Sequence, residues 1–101
     1  MYTLGMWKVK LGREAEFVKT WKDFAEWTSK NQMGASEAVL LRDVEQPQKF
    51  ISFGPWRNKE AVQAWRKRPE FGEFVKQARE LCEEMQPNML KVAARVKGGE
   101  K

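Results

Sequence analysis

Trp56 and Trp65 each offer a flat indole that can stack on an aromatic ligand, with an N–H able to donate to a ligand oxygen. Between them and the preceding apolar run lies Ser52, whose hydroxyl can donate or accept one hydrogen bond. Each also has a plainer use. Trp56 can pack a strand end against the next helix, Trp65 can fill a core, and Ser52 can be a small residue alternating in a strand. Charged residues on or near the strands are Glu37, Arg42, Asp43, Arg57 and Arg95. A carboxylate among them could take a ligand proton and a guanidinium could clamp an oxyanion, and each is also an ordinary surface residue. Cys82 is the single cysteine, so no disulfide forms within the chain. It lies on an apolar stripe with Ala78 and Met85, where a buried, inert thiol is expected. Histidine is absent. That removes Ser-His-Asp and Cys-His catalysis, histidine ligation of haem or zinc, and the side chain best suited to proton transfer near neutral pH.

These residues must be held by a small scaffold. A chain of 101 residues is one domain by size. It buries roughly three-fifths to two-thirds of the surface its unfolded form exposes, which leaves little interior for a large enclosed site. The sequence has five Trp and six Phe, enough that some are expected to face a cavity or a partner. The formal charge is +5. Its signs alternate along the expected helices and form no stripe, which argues for a soluble surface over nucleic-acid binding. No apolar run of about twenty residues is present, so no membrane span is expected. Met1 to Gly5 lacks a basic segment followed by an apolar one, so a cytoplasmic location is the expectation.

Hydrophobic spacing gives the elements. Tyr2 to Lys10 alternates as a strand, with Tyr2, Leu4, Met6 and Lys8 on one face and Thr3, Gly5, Trp7 and Val9 on the other. Arg13 to Lys30 carries a helical stripe of Phe17, Trp21, Phe24 and Thr28; Trp27 lies off it. Gly34 suits a left-handed residue closing that helix. Ala35–Val44 and Lys49–Trp56 read as a hairpin around Pro47. Asn58 caps a short helix through Ala61, Val62 and Trp65, which Pro69 ends. A second stripe runs from Phe71 to Met85, and Met89–Val96 alternates as a last strand. The order β-α-β-β-α-β predicts an α+β, ferredoxin-like domain over residues 1–97, with a four-stranded antiparallel sheet, helices on one face and a flexible tail at 98–101. The other face, expected to include Trp7 and apolar residues of the second and third strands, would stand bare. Such a face calls for a partner, and two sheets packed together would make a homodimeric α+β barrel.

The run Phe50 to Phe71 resembles the signature of the antibiotic biosynthesis monooxygenase family. It has a strand ending in Trp56, a short helix with Glu60-Ala61 and Ala64-Trp65, then Pro69-Glu70-Phe71. Lys10 to Glu14 and Leu90 to Val96 are similar too. The resemblance implies a dimeric α+β barrel with a pocket between sheet and helices in each subunit. It also implies oxidation of small aromatic, phenolic or quinol-like substrates with molecular oxygen, with no flavin or metal, because an electron-rich anion reacts with oxygen itself. On this reading Trp65, Trp56 and Ser52 are pocket-wall, substrate-binding residues. Relatives that make aromatic polyketides pair the Trp matched by Trp56 with an Asn, here Ser52, and a Tyr, here Val62. Haem-degrading relatives share the Trp matched by Trp65, but their Asn falls near Gly5 and their His near Val75. A non-catalytic dimeric module that binds a small hydrophobic or aromatic ligand, or serves in stress, is the alternative. Nucleic-acid binding has no support, because the aromatic signature of RNA-binding sheets is absent.

Overall fold

The computed structural model describes residues 1–99; residues 100 and 101 of the expected tail lie outside the described residues. The elements are β1 (Tyr2–Val9), α1 (Glu14–Asn31), β2 (Val39–Arg42), β3 (Lys49–Pro55), α2 (Lys59–Arg66), α3 (Pro69–Leu81) and β4 (Cys82–Leu90). The four strands form one antiparallel sheet in the order β2-β3-β1-β4. This is the ferredoxin-like arrangement expected from the sequence.

Local chemistry accounts for the breaks. Gly12 and Gly34 have φ near +90°, the left-handed region that side chains resist, and they bracket α1. Asp43 Oδ1 accepts the backbone N–H groups of Glu45 and Gln46 at 2.8 and 2.9 Å, which folds the β2–β3 turn. Those two bonds hold the Asp43 carboxyl below its usual pKa. Asn58 Oδ1 accepts the Ala61 N–H at 2.8 Å and caps α2. Pro69 takes the first position of α3, where its missing N–H has no helical partner to lose.

The core lies between the sheet and the helices. Val9, Phe17, Phe50, Ala78 and Leu81 are its most buried members, joined by Trp7, Phe74 and Cys82. Trp7 is therefore a correction: it faces the helices and not the bare side of the sheet. The alternation of β1 is as expected, but the set that points inward is Gly5, Trp7 and Val9. Leu4, Met6, Ile51, Val39 and Leu41 share the opposite face with Phe53 and Leu90, by register. That face carries no helix, and Met6, Leu41 and Leu90 are exposed on it.

The last strand is a second correction. It spans Cys82–Leu90, not Met89–Val96, and α3 stops at Leu81. Cys82 and Met85 extend the helical stripe in sequence, yet they pair with Val9 and Trp7 of β1. Pro87 is tolerated because β4 is an edge strand whose outer side needs no donor. Residues Lys91 to Gly99 follow without regular structure.

Candidate functional site

The helices stand off the sheet over part of its area and leave a cavity of about 430 Å³. It lies between the sheet and the helices and is partly open to solvent, so it is not a large enclosed site. The floor comes from β1 and β3, the roof from α1, α2 and α3, and one side from Met85, Pro87 and Asn88 of β4. The wall is rich in aromatic residues: Trp7, Trp21, Phe24, Trp56, Trp65, Phe71 and Phe74 all reach it.

Those rings support one another. Phe24 stacks on Phe74 with centroids 4.4 Å apart, and Trp65 lies 4.8 Å from both Trp56 and Phe71. Such contacts, worth about 0.5–1.5 kcal/mol each beyond area burial, fix ring orientation without filling the space between sheet and helices. Trp27, off the α1 stripe, is half-buried; it stacks on Phe24 and carries the Arg68 guanidinium 4.9 Å above its ring.

Polar groups enter the wall as pairs. Trp7 donates its indole N–H to Ser52 Oγ at 3.0 Å, with both residues buried. Trp56 donates to Thr3 Oγ1 at 3.1 Å, and Trp65 to Thr28 Oγ1 at 3.0 Å. The first pair depends on Gly5, which stands opposite Ser52 in the ladder. A Cβ on Gly5 would lie 2.8 Å from Trp7 Cζ2 and 2.9 Å from Ser52 Oγ. With no side chain there, the Trp7 indole folds back over β1 to reach the hydroxyl. Gly54 acts in the same way at the rim, where any side chain would collide with the Glu37 carbonyl.

Ser52, Trp56 and Trp65, the residues singled out in the sequence, all line this one cavity. The indole N–H of Trp56 is already engaged by Thr3, so the free donor envisaged for it is not present. Of the charged candidates only Glu37 reaches the wall, and it is exposed. Arg42 lies over the Phe50 ring and donates to the Pro47 carbonyl, Asp43 serves the turn, and Arg57 and Arg95 are exposed. Arg66 and Arg79 were missed, yet both line the cavity. Their positions on α2 and α3 look like solvent-facing helix residues in sequence. Thr3 and Thr28 were missed as cavity groups too, although Thr28 sits on the α1 stripe where a hydroxyl among Phe and Trp is a usable signal. Cys82 is buried, and burial pushes its thiol up to about 11, in keeping with an inert core residue.

The family model described as antibiotic biosynthesis monooxygenase matches residues 1–77. No curated protein sequence matches the chain. Among solved structures, a variant of SnoaB, a cofactor-independent oxygenase from Streptomyces nogalater, superposes with a TM-score of 0.86 at 18% identity, covering 96% of each chain. A protein from Nitrosomonas europaea provisionally named an antibiotic biosynthesis monooxygenase gives 0.81 at 12% identity, covering 91% of this chain and 88% of its own. One from Deinococcus radiodurans, named in the same provisional way, gives 0.78 at 16%, covering 96% and 98%. At these identities the structures establish the fold.

Proposed function

The chain belongs to the antibiotic biosynthesis monooxygenase family, and from that premise we propose that it oxidises a small aromatic, phenolic or quinol-like compound with molecular oxygen, using neither flavin nor metal. The observation that carries this reading is the cavity of about 430 Å³ walled by Trp7, Trp56, Trp65, Phe24 and Phe74. Stacked rings hold a flat molecule, exclude water and leave an electron-rich anion exposed to dissolved oxygen. Without a cofactor the electrons must come from the substrate. An anthrone-type CH₂ loses a proton, its carbanion reduces oxygen to a substrate hydroperoxide, and loss of water leaves a ketone. One oxygen atom stays on carbon, the other leaves as water, and no outside reductant is needed. Glu37 is the one acidic residue on the described wall, and on this reading its exposed carboxylate takes the proton at the rim. Arg66 and Arg79 favour the resulting anion by their charge.

The functional unit on this reading is a homodimer. Leu4, Met6, Leu41, Ile51 and Phe53 form an apolar sheet face that no helix of the chain covers, and a second copy is the partner that completes a barrel.

An oxygen electrode tests the activity. Protein freed of metal by chelator should consume oxygen with anthrone or a substituted hydroquinone faster than the buffer alone, and Trp65→Ala should lose most of that rate. Uptake equal to autoxidation across such a panel would refute it. One observation favours a second reading, ligand binding without turnover: the only acid on the described wall is exposed, so no buried base faces the cavity. Calorimetric binding of the same compounds without oxygen uptake would select it.

A further inference from the structure

One arrangement recurs three times on the cavity wall. Trp7 comes from β1, Trp56 from just after β3 and Trp65 from α2, and each donates its indole N–H to a hydroxyl 3.0–3.1 Å away. The acceptors, Ser52, Thr3 and Thr28, come from three elements as well. All six residues line the cavity. Among the described residues none of these three hydroxyls donates to a protein acceptor in turn.

A hydroxyl has one proton and two lone pairs, while an indole has a proton only. The indole therefore occupies a lone pair and leaves the hydroxyl proton free. Donation into the oxygen draws charge from the O–H bond and strengthens it as a donor, more so where water does not screen the effect. Thr28 and Ser52 are 7% and 8% exposed, so water has little access to them. Each of the three hydroxyls belongs to a residue that lines the cavity among aromatic rings.

We propose that Ser52, Thr3 and Thr28 recognise the hydrogen-bond-accepting oxygens, ketone or phenolate, of a flat aromatic ligand, each hydroxyl held and polarised by its own tryptophan. The inference rests on the cavity being a ligand site and does not require turnover. Trp7 acts through Ser52 and is a positioning residue. A hydrocarbon of the same outline has no acceptors and binds by stacking alone.

Isothermal titration with anthraquinone-2-sulfonate and anthracene-2-sulfonate separates the two contributions. The wild-type protein should bind the quinone about tenfold more tightly or better, the effect of one or two good hydrogen bonds. Ser52→Ala should weaken the quinone about fivefold to tenfold and leave the hydrocarbon unchanged. Trp7→Phe keeps a ring and removes the donor, so it should lower the quinone preference alone; Ser52→Thr, which keeps the hydroxyl that Ser52→Ala removes, should retain the preference. If Ser52→Ala fails to fold by circular dichroism, Thr28→Val provides the same comparison. Equal affinity of the wild type for both ligands, binding of neither, or an equal loss of both in Ser52→Ala and Thr28→Val would overturn the proposal. Discrimination that persists without oxygen uptake supports it while removing the proposed oxygenase activity.

Discussion

Gly5→Ala should destabilise the protein sharply, although it adds one methyl to a strand and reduces the freedom of the unfolded chain. The new Cβ would lie 2.8 Å from Trp7 Cζ2 and 2.9 Å from Ser52 Oγ, closer than real Cβ contacts. The Trp7 ring cannot yield easily, because Phe17 and Phe74 hold it with centroids 5.3 and 5.8 Å away. Overpacking of this kind costs about 1–3 kcal/mol. Pushing the indole off Ser52 leaves two buried polar groups short of a partner, about 1–3 kcal/mol more. The gain from a stiffer unfolded chain is about 0.4–1 kcal/mol. The net loss is about 2–4 kcal/mol, a large share of the 5–15 kcal/mol that holds a domain folded, and a fall in Tm of roughly 10 °C or more. Urea and thermal denaturation followed by tryptophan fluorescence measure it. Gly72→Ala is the control: apart from its chain neighbours and the backbone of α3 itself, nothing lies within 4 Å of its would-be Cβ. That variant should gain about 0.5–1 kcal/mol from helix propensity. Gly5→Ala as stable as the wild type would refute the packing argument for the Trp7–Ser52 pair.

Other consequences can be checked directly. The Cys82 thiol should react with a disulfide reagent at pH 8 far more slowly in native protein than in urea, because burial raises its pKa from 9.0 to about 11. The folded state holds that proton more tightly, so the stability it contributes is complete below pH 9 and is lost as pH rises through about 11. Denaturation midpoints in a Cys82→Ala variant should lose that fall. Asn58→Ala should cost about 1 kcal/mol by removing the α2 cap, read in urea denaturation, with no change at the cavity floor. Sedimentation should show a dimer at micromolar concentration, and Ile51→Asp, which puts a charge in the open sheet face, should give a monomer. A stable folded wild-type monomer at that concentration would contradict the assembly.

What the sequence disclosed depended on how strongly each signal was tied to one structure. The stripe Phe17, Trp21, Phe24, Thr28 has a single helical solution, and so α1 was legible to within a residue. Period-two alternation separated the faces of β1 but carried no sign, since Leu4 and Met6 are as apolar as Trp7 and Val9. Gly5 held the missing information: a glycine beside a large aromatic on one face makes room for that ring. The α3–β4 junction was hidden because Cys82 and Met85 continue the helical spacing, while Val92, Ala94 and Val96 imitate a strand that finds no partner. Pairing with β1, a long-range property, decides it. The Trp and Ser wall residues were visible by type. Their hydroxyl–indole pairing was not, since each pair joins residues 37 to 53 positions apart.

The most direct test is anthrone oxidation under ¹⁸O₂ with chelator-treated protein, the product analysed by mass spectrometry. Substrate-derived electrons require one labelled oxygen in the ketone, a rate proportional to protein concentration, and loss of that rate in Trp65→Ala. A ketone formed no faster than without protein, or one whose oxygen comes from water, would contradict the account.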